Sequence, residues 1–340
     1  MKNKEFITSF KFAKISNIIY SGVFLEDQIE ELEITDFNIV NKNNNFVYVR
    51  NKRFTLKEND IIFCKTEDIK SLFYILKKVQ LKNIKLITHQ SDLLVTDLYA
   101  ELKPECISTW YSVNVDSSSK YLISIPIGLS NEHFKNLNIK DFDKVKNKKS
   151  TFLDTASKDI MMFVNFQKST NFNEREGLYK YFKNDNWASI KDPVLRKDIY
   201  LEYLNNSLFT LCPHGNGIDT HRIWEALYSG SIPITKIHRT FDYLENIPVL
   251  FVDDYKEINK EHILKFVDQF NSDNYEYEKM FFKYWKNIIE MNKVDSRKSI
   301  ELNTNHLVVN LLNLKNFINN KLNSYLKVAK YYLRKIKKVF

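Results

Sequence analysis

Apolar positions along this chain fall in short runs separated by stretches of helical period, and the two kinds alternate. Ile61-Ile62-Phe63-Cys64 reads as a buried strand, and Ile69, Leu72, Phe73 and Leu76 follow at the spacing of one helix face. Ile84-Lys85-Leu86-Ile87 is a second short strand. It ends at Thr88-His89-Gln90-Ser91-Asp92, where Ser91 or Asp92 is placed to cap a further helix. Cys106-Ile107-Ser108-Thr109-Trp110-Tyr111 and Leu122-Ile123-Ser124-Ile125 continue the strand series, the latter closing at Pro126-Ile127-Gly128-Leu129. Strand, loop, helix and strand at this spacing imply a parallel sheet with helices on both faces.

Residues 135–159 break the pattern: they are rich in Lys and Asp and nearly without apolar period, and read as a linker or a solvated segment. Asp141-Phe142-Asp143 matches an Asp-x-Asp metal triplet, but it lies among lysines with no strand before it and reads as part of the charge run. A second alternating series follows. Ile160–Phe166 and Ser207–Cys212 are strands, Arg175–Phe182 and Thr220–Ser229 helices, and Ile232-Pro233-Ile234 and Val249–Val252 further strands. Helices over 261–271 and 275–292 close this second Rossmann-like unit. The expected organisation is an N-terminal domain over 1–150, a C-terminal domain over 151–295, and C-terminal helices over 296–340.

A chain of 340 residues with 44% hydrophobic and 14% aromatic positions has the material for two cores and is not disordered. No apolar run approaches the ~18–20 residues of a membrane span, and the lysine-interrupted N-terminus lacks the h-region of a signal peptide. Cys64, Cys106 and Cys212 are widely spaced, form no metal framework, and suit a reducing cytoplasm. The net charge of +9 is unevenly placed. Eight basic residues and no acid lie between Lys315 and Phe340, leaving +1 for the remainder. A nucleic-acid enzyme would carry its basic footprint on the folded body, so nucleic acid is not an expected partner.

Candidate chemistry concentrates in Ser207–Thr235. A strand runs into Pro213-His214-Gly215-Asn216-Gly217, which holds two of only six glycines, and then into a helix. Gly215 and Gly217 allow close backbone approach, and the helix N-terminus offers free N–H groups to a diphosphate. Arg222 can pair with phosphate oxygens, while Glu225, three residues on, can accept hydrogen bonds from ribose hydroxyls. His214, Asp219 and His221 lie in or beside the loop and fit donor contacts, but no spacing compels a metal site. Arg175, opening the first helix of the second series, is placed to meet the diphosphate from the other side. A Gly-rich turn with a surface Arg/Glu pair would give the same pattern.

Read as Cys-Pro-x-Gly-x-Gly-x-Asp-x-x-Arg-x-Trp-Glu-Ala-Leu-x-x-Gly-x-Ile-Pro-Ile, residues 212–234 resemble the donor-binding segment of exostosin-like glycosyltransferases of the GT-B superfamily. Thr88–Asp92 and Ile125–Asn131 look like two further hallmarks of proteins of this type, with Gln90 where Asn is more usual. The resemblance covers roughly 60–255. It implies an α/β GT-B-like fold with two Rossmann-like domains facing across a cleft. It also implies inverting transfer from a nucleotide-sugar donor substrate, without a metal or other cofactor, to a surface glycan or lipid-linked acceptor. Arg222 and Glu225 would belong to the donor site. His89 and Asp92, at the end of a strand in the first domain, are the available catalytic bases. Another nucleotide-dependent transferase or epimerase, or a non-catalytic glycan- or membrane-binding scaffold, are the rival readings.

From Lys321 onward, Leu322, Tyr325, Leu326, Ala329, Leu333, Ile336 and Phe340 recur at helical spacing, with basic residues on the other side and no acid. Such a helix fits an anionic membrane surface and implies a cytoplasmic protein peripherally bound to it. A final helix packed back across the domains is the alternative.

Overall fold

The structure is a computed structural model describing residues 6–43, 45–131, 137–143, 152–153, 157–291, 296, 298–304, 308–315, 318–319, 322, 325–326 and 329. The chain forms two compact units. One comprises Phe12–Ser112, Ser117–Ile123 and Asn292–Phe340; the other Met1–Lys11, Val113–Asp116 and Ser124–Met291. The chain thus passes between units near residues 112–124, and the boundary expected at 150 lies inside the second unit.

The first unit, here called N-terminal, is built on a five-stranded sheet in the order Ile18–Ile19, Ile61–Lys65, Ile84–His89, Ile107–Ser112, Leu122–Ser124. Its first four strands pair in parallel. The helix Ile69–Leu76 buries Ile69, Leu72, Phe73 and Leu76, the residues its period singles out, and Phe73 meets Trp110 edge-on at 5.4 Å. The helix expected after Asp92 is not there. A loop leads through Val95–Thr96 into a single turn, Asp97–Ala100, because Ser91 Oγ accepts from the Leu93 N–H and holds a tight turn instead of a cap. Residues 20–60 add an antiparallel sheet of Ser21–Phe24, Val47–Asn51 and Phe37–Lys42.

The C-terminal segment departs from the all-helical expectation. Ser299–Asn303 is a strand antiparallel to Arg53–Lys57 in the N-terminal unit, and the buried Thr304 donates from its hydroxyl to the Asn51 carbonyl at 2.6 Å. Residues 308–315 are helical. Most of the basic stretch 321–340 lies outside the described residues; Leu322, Tyr325, Leu326 and Ala329 are helical and exposed. Among the described residues, no helix is long and apolar enough to cross a membrane.

In the C-terminal unit five strands run in parallel in the order Ala188–Ile190, Ile160–Val164, Ser207–Leu211, Ile232–Lys236, Leu250–Val252. Ser207–Leu211 is buried at every position, as a central strand covered on both faces must be. Leu178, Phe182 and Ile263 close over Met162, Val164, Phe209 and Leu211, whereas Phe163 packs on Tyr200 and Tyr203 of the helix Lys197–Asn205. Numbered along the chain, the strand order is 2-1-3-4-5. The winding therefore reverses between Ile160–Val164 and Ser207–Leu211, and a doubly wound sheet opens a crevice at the carboxyl ends of those two strands. The N-terminal sheet runs through its strands in chain order and has no such reversal.

Candidate functional site

The two loops that leave the reversal point carry most of the residues expected at a site. Arg175 ties these loops together. It stands 3% exposed in the helix Phe172–Tyr181. Its Nε donates to the His214 carbonyl at 2.8 Å and its Nη2 to the Pro213 carbonyl at 2.6 Å. Nη1 donates to the Gln167 carbonyl at 3.0 Å and to Thr170 Oγ1. The guanidinium shapes the two loops through these four bonds. All its acceptors are neutral, so burial, with the nearby Arg222 charge second, brings its pKa down to about 9.

The glycines have the same kind of explanation. A β-carbon on Gly215 would lie 3.2 Å from Arg175 Nη2, and one on Gly217 would lie 2.8 Å from Asn114 Nδ2. At both positions side chains of the protein itself press against the loop where a β-carbon would stand. Asn114 is a residue that sequence reasoning missed. Fully buried at φ +53°, it accepts with Oδ1 from the N–H groups of Ile218 and Asp219, each at 2.9 Å. Its only sequence signal is a polar residue between two apolar ones at a strand end.

Asp219, expected among the donor contacts, is also committed internally. It is 2% exposed, and Oδ2 accepts from the Ile127 N–H at 2.8 Å and from Tyr243 Oη at 2.7 Å. Trp224 Nε1 donates to its Oδ1 at 3.2 Å. Burial raises its pKa to about 6, against these hydrogen bonds, which favour the charged form. His221 is held likewise: its Nδ1 lies 2.8 Å from the carbonyl oxygen of Gly128. Position 128 requires glycine, because its φ is +69° and a β-carbon there would lie 2.3 Å from the Ile7 carbonyl oxygen. The Ile125–Leu129 segment, legible as a hallmark without a role, is therefore a brace for the Gly loop.

Around the start of the helix His221–Tyr228, several polar groups lack protein partners. The helix His221–Tyr228 begins at Thr220, whose side chain makes no cap, so the first N–H groups of this eight-residue helix are left for another acceptor. The buried atoms Thr220 Oγ1, Arg222 Nε and His214 Nε2 have no hydrogen-bond partner. Among the described residues Arg222 forms no ion pair. Glu225, expected with Arg222 on an exposed helix face, is 4% exposed because the apolar residues around it turn that face into the core. Tyr200 Oη donates to its Oε2 at 2.8 Å, and burial, opposed by the Arg222 charge, raises its pKa. Leaving buried polar atoms unpaired costs about 1–3 kcal/mol each. Buried Arg175 and partly exposed Arg222, with one carboxylate in their field, lie by an uncapped helix N-terminus, an arrangement that favours an anion.

In the N-terminal unit the two base candidates differ. His89 is 1% exposed, its Nδ1 accepts from the Gln90 N–H at 2.8 Å, and its ring lies 5.4 Å from Phe12. It closes the end of a core strand. Asp92 is exposed on the following loop. Gln90, at φ +59°, uses its amide as a strand would: it accepts from the Val23 N–H at 2.7 Å and donates to the Val23 carbonyl at 2.9 Å. Asp141-Phe142-Asp143 is helical; Phe142 is buried and Asp141 pairs with Lys197 at 3.1 Å. Among the described residues no group of three His, Cys, Asp or Glu is arranged to hold a metal ion. All three cysteines are buried and unpaired.

Residues 149–296 match the family model described as the RXYLT1 C-terminal domain. No curated protein matches the chain in sequence. Among solved structures, one titled "Crystal Structure of alpha1,3-Fucosyltransferase with GDP-fucose" aligns at 12% identity over 76% of this chain and 77% of its own, with a TM-score of 0.32.

Proposed function

We propose that this protein is an inverting GT-B glycosyltransferase that moves a sugar from a nucleotide-sugar donor held by its C-terminal unit. The observation that carries the reading is the unpaired set at the sheet's reversal point: Arg222 Nε, Thr220 Oγ1 and the uncapped N-terminus of the helix His221–Tyr228. A diphosphate supplies the acceptors that all three lack. In the ground state it is bound there; as the glycosidic bond breaks, negative charge grows on its leaving oxygen, and fixed donors stabilise that charge most. Arg222 and the helix N-terminus thereby take the part that a cation plays in metal-dependent transferases. Glu225, oriented by Tyr200, offers Oε1 to the ribose hydroxyls. Arg175, Asn114 and Asp219 hold the loop in shape before the donor arrives, so little ordering remains to oppose binding.

In this reading the N-terminal unit takes the acceptor, a surface glycan or lipid-linked sugar, and Asp92 is the base that removes its hydroxyl proton. The exostosin-like resemblance of residues 212–234 supports the same assignment. Exposed apolar residues of the tail support contact with an anionic membrane face: Leu311, Leu314, Ile318, Leu322, Tyr325 and Leu326 are each 46–65% exposed. The lysines that accompany them, with no acid, suit anionic headgroups.

The deciding experiment is thermal unfolding with UDP, GDP, CMP and TDP, followed by a donor screen that reads nucleoside diphosphate release with a lipid-linked acceptor. One nucleotide at a hundred times its Kd should stabilise the protein by about 2.7 kcal/mol. No response to any of them would remove the donor site and favour a scaffold.

A further inference from the structure

Ile7 holds the helix His221–Tyr228 at both of its ends through its own main chain. At the C-terminal end the Ile7 N–H donates to Tyr228 Oη at 3.1 Å, and that hydroxyl donates in turn to the Met280 carbonyl at 2.9 Å. Toward the N-terminal end the Ile7 carbonyl accepts from the Leu129 N–H at 2.8 Å. Gly128, next to Leu129, presents its carbonyl to His221 Nδ1 at 2.8 Å. A carbonyl oxygen only accepts, so Nδ1 carries the proton. The residues beside Ile7 are seated in the same place. Thr8 bridges Leu129 in parallel, Ser9 Oγ donates to Asn131 Oδ1 at 2.7 Å, and the Phe6 ring lies 4.5 Å from that of Tyr228. Ile7 and Thr8 are buried. All these residues belong to the C-terminal unit, although the chain after residue 11 enters the other unit.

We propose that residues 6–9 are a positioning strap of the donor site, and that seating of this strap and nucleotide binding are coupled through the helix His221–Tyr228. This rests on the reading of the C-terminal unit as the donor site. The helix has eight residues and is about 12 Å long at 1.5 Å per residue. One tie at each end fixes both its shift along the axis and its rotation. Those two motions carry Arg222 and the first-turn N–H groups relative to the Gly loop, which Arg175 and Asn114 hold separately. A displacement of about 1 Å is costly for groups that must meet a ligand in alignment. His221 and Tyr228 are therefore positioning residues that act through the helix they begin and end. The coupling is reciprocal. Whatever factor the seated strap adds to nucleotide affinity, bound nucleotide adds to the seating of the strap.

The test uses the full-length protein and whichever of UDP, GDP, CMP and TDP stabilises it. Amide hydrogen exchange of the wild type comes first, since it needs no substitution. Bound nucleotide should slow exchange at Ile7 and Leu129 by about fivefold beyond any change in the edge strand Leu250–Val252. Calorimetric titration of variants reads the converse effect. Tyr228→Phe frees the Ile7 N–H and should weaken the nucleotide about fivefold, the worth of one hydrogen bond. His221→Asn keeps an N–H where Nδ1 stands and should bind within about twofold of the wild type. His221→Gln moves its N–H to the Nε2 position and should lose about fivefold. A segment that only added stability would lower urea midpoints without separating the Asn variant from the Gln variant in affinity. Two results overturn the strap while leaving the donor site standing: nucleotide binding with no extra protection at Ile7 and Leu129, or equal affinity in His221→Asn and His221→Gln. If none of the four nucleotides binds the wild type, the donor-site reading falls and the strap falls with it.

Discussion

The carboxamide nitrogen of Asn114 stands 2.8 Å from the point where a β-carbon on Gly217 would be. The same side chain accepts from the next two amides, Ile218 and Asp219, so loop and side chain fix one another. Gly217→Ala must push Asn114 off these amides or move the loop. It should destabilise the protein by about 1–3 kcal/mol, in the range for overpacking, and weaken nucleotide binding in the same measurement series. Gly215→Ala, facing Arg175 at 3.2 Å, should be milder. Wild-type urea midpoints for Gly217→Ala would show that the loop has slack that this packing denies.

Arg175 and Arg222 are both buried in part, yet they separate into a stability residue and an affinity residue. Arg175 spends its donors on four acceptors of the protein, and a lysine cannot reproduce that fork. Arg175→Lys should therefore lower the urea midpoint by the equivalent of about 1–3 kcal/mol. Arg222 gives up no hydrogen bond when replaced. Arg222→Lys should leave the midpoint within ~0.5 kcal/mol but weaken the nucleoside diphosphate by about 1.5–3 kcal/mol, the worth of a charge-assisted contact. The reverse assignment in titration and unfolding would exchange the roles of the two residues.

What was legible follows from what each signal measures. The strand runs and the 207–235 segment could be read because burial writes apolar period and glycine into the sequence directly. The face on which Glu225 lies could not be read, because its polarity argues for water while Ile223, Trp224, Ala226 and Leu227 around it carry the helix into the core. Arg175 and Asp219 stand out in the sequence, but their partners include backbone groups, Pro213, His214 and Ile127, that have no residue-type signature. Local pattern gives Ser299–Asn303 as helix because its partner strand, Arg53–Lys57, lies far away in the chain, beyond the reach of local period.

Asp92 is exposed on the loop after Ile84–His89, whereas His89 is buried in the same strand end. If Asp92 removes the acceptor proton, Asp92→Asn should reduce kcat by at least about a hundredfold with donor KM nearly unchanged. Substituting His89 should act through stability, visible as a lower midpoint. Near-normal turnover in Asp92→Asn would exclude it as the base.

Removing residues 321–340 should leave transfer to a soluble acceptor intact and release the protein from anionic vesicles. Each basic residue near such a surface contributes about 1 kcal/mol, so co-sedimentation of the full chain should weaken as salt rises. Unchanged vesicle binding by the truncated chain would refute the membrane role.

Asp219 and His214 lie five residues apart, and burial moves their proton equilibria in opposite directions. Burial raises the Asp219 carboxyl from 3.8 to about 6. The folded state therefore keeps a proton that the unfolded chain has released, and the stability it contributes at low pH is lost as pH rises through about 4 to 6. Burial lowers His214 from 6.5 to about 4. Here the unfolded chain takes up the proton first, so stability present above pH 6.5 is lost as pH falls toward 4. Each shift corresponds to ~3 kcal/mol at 1.36 kcal/mol per unit, and over the shared window the two nearly cancel. Single substitutions should uncover the opposing slopes in nucleotide-free protein. Asp219→Asn leaves the His214 contribution uncompensated, so its stability should climb between pH 4.5 and 6.5. His214→Phe leaves that of Asp219, so its stability should fall over the same interval. Asp219→Asn should also start lower at every pH, because part of its amide faces the Ile127 N–H and Tyr243 as a donor. The measurement is the urea midpoint at pH 4.5, 5.5 and 6.5 for wild type and both variants. Parallel slopes in all three would show that neither group is buried in the protonation state assigned to it.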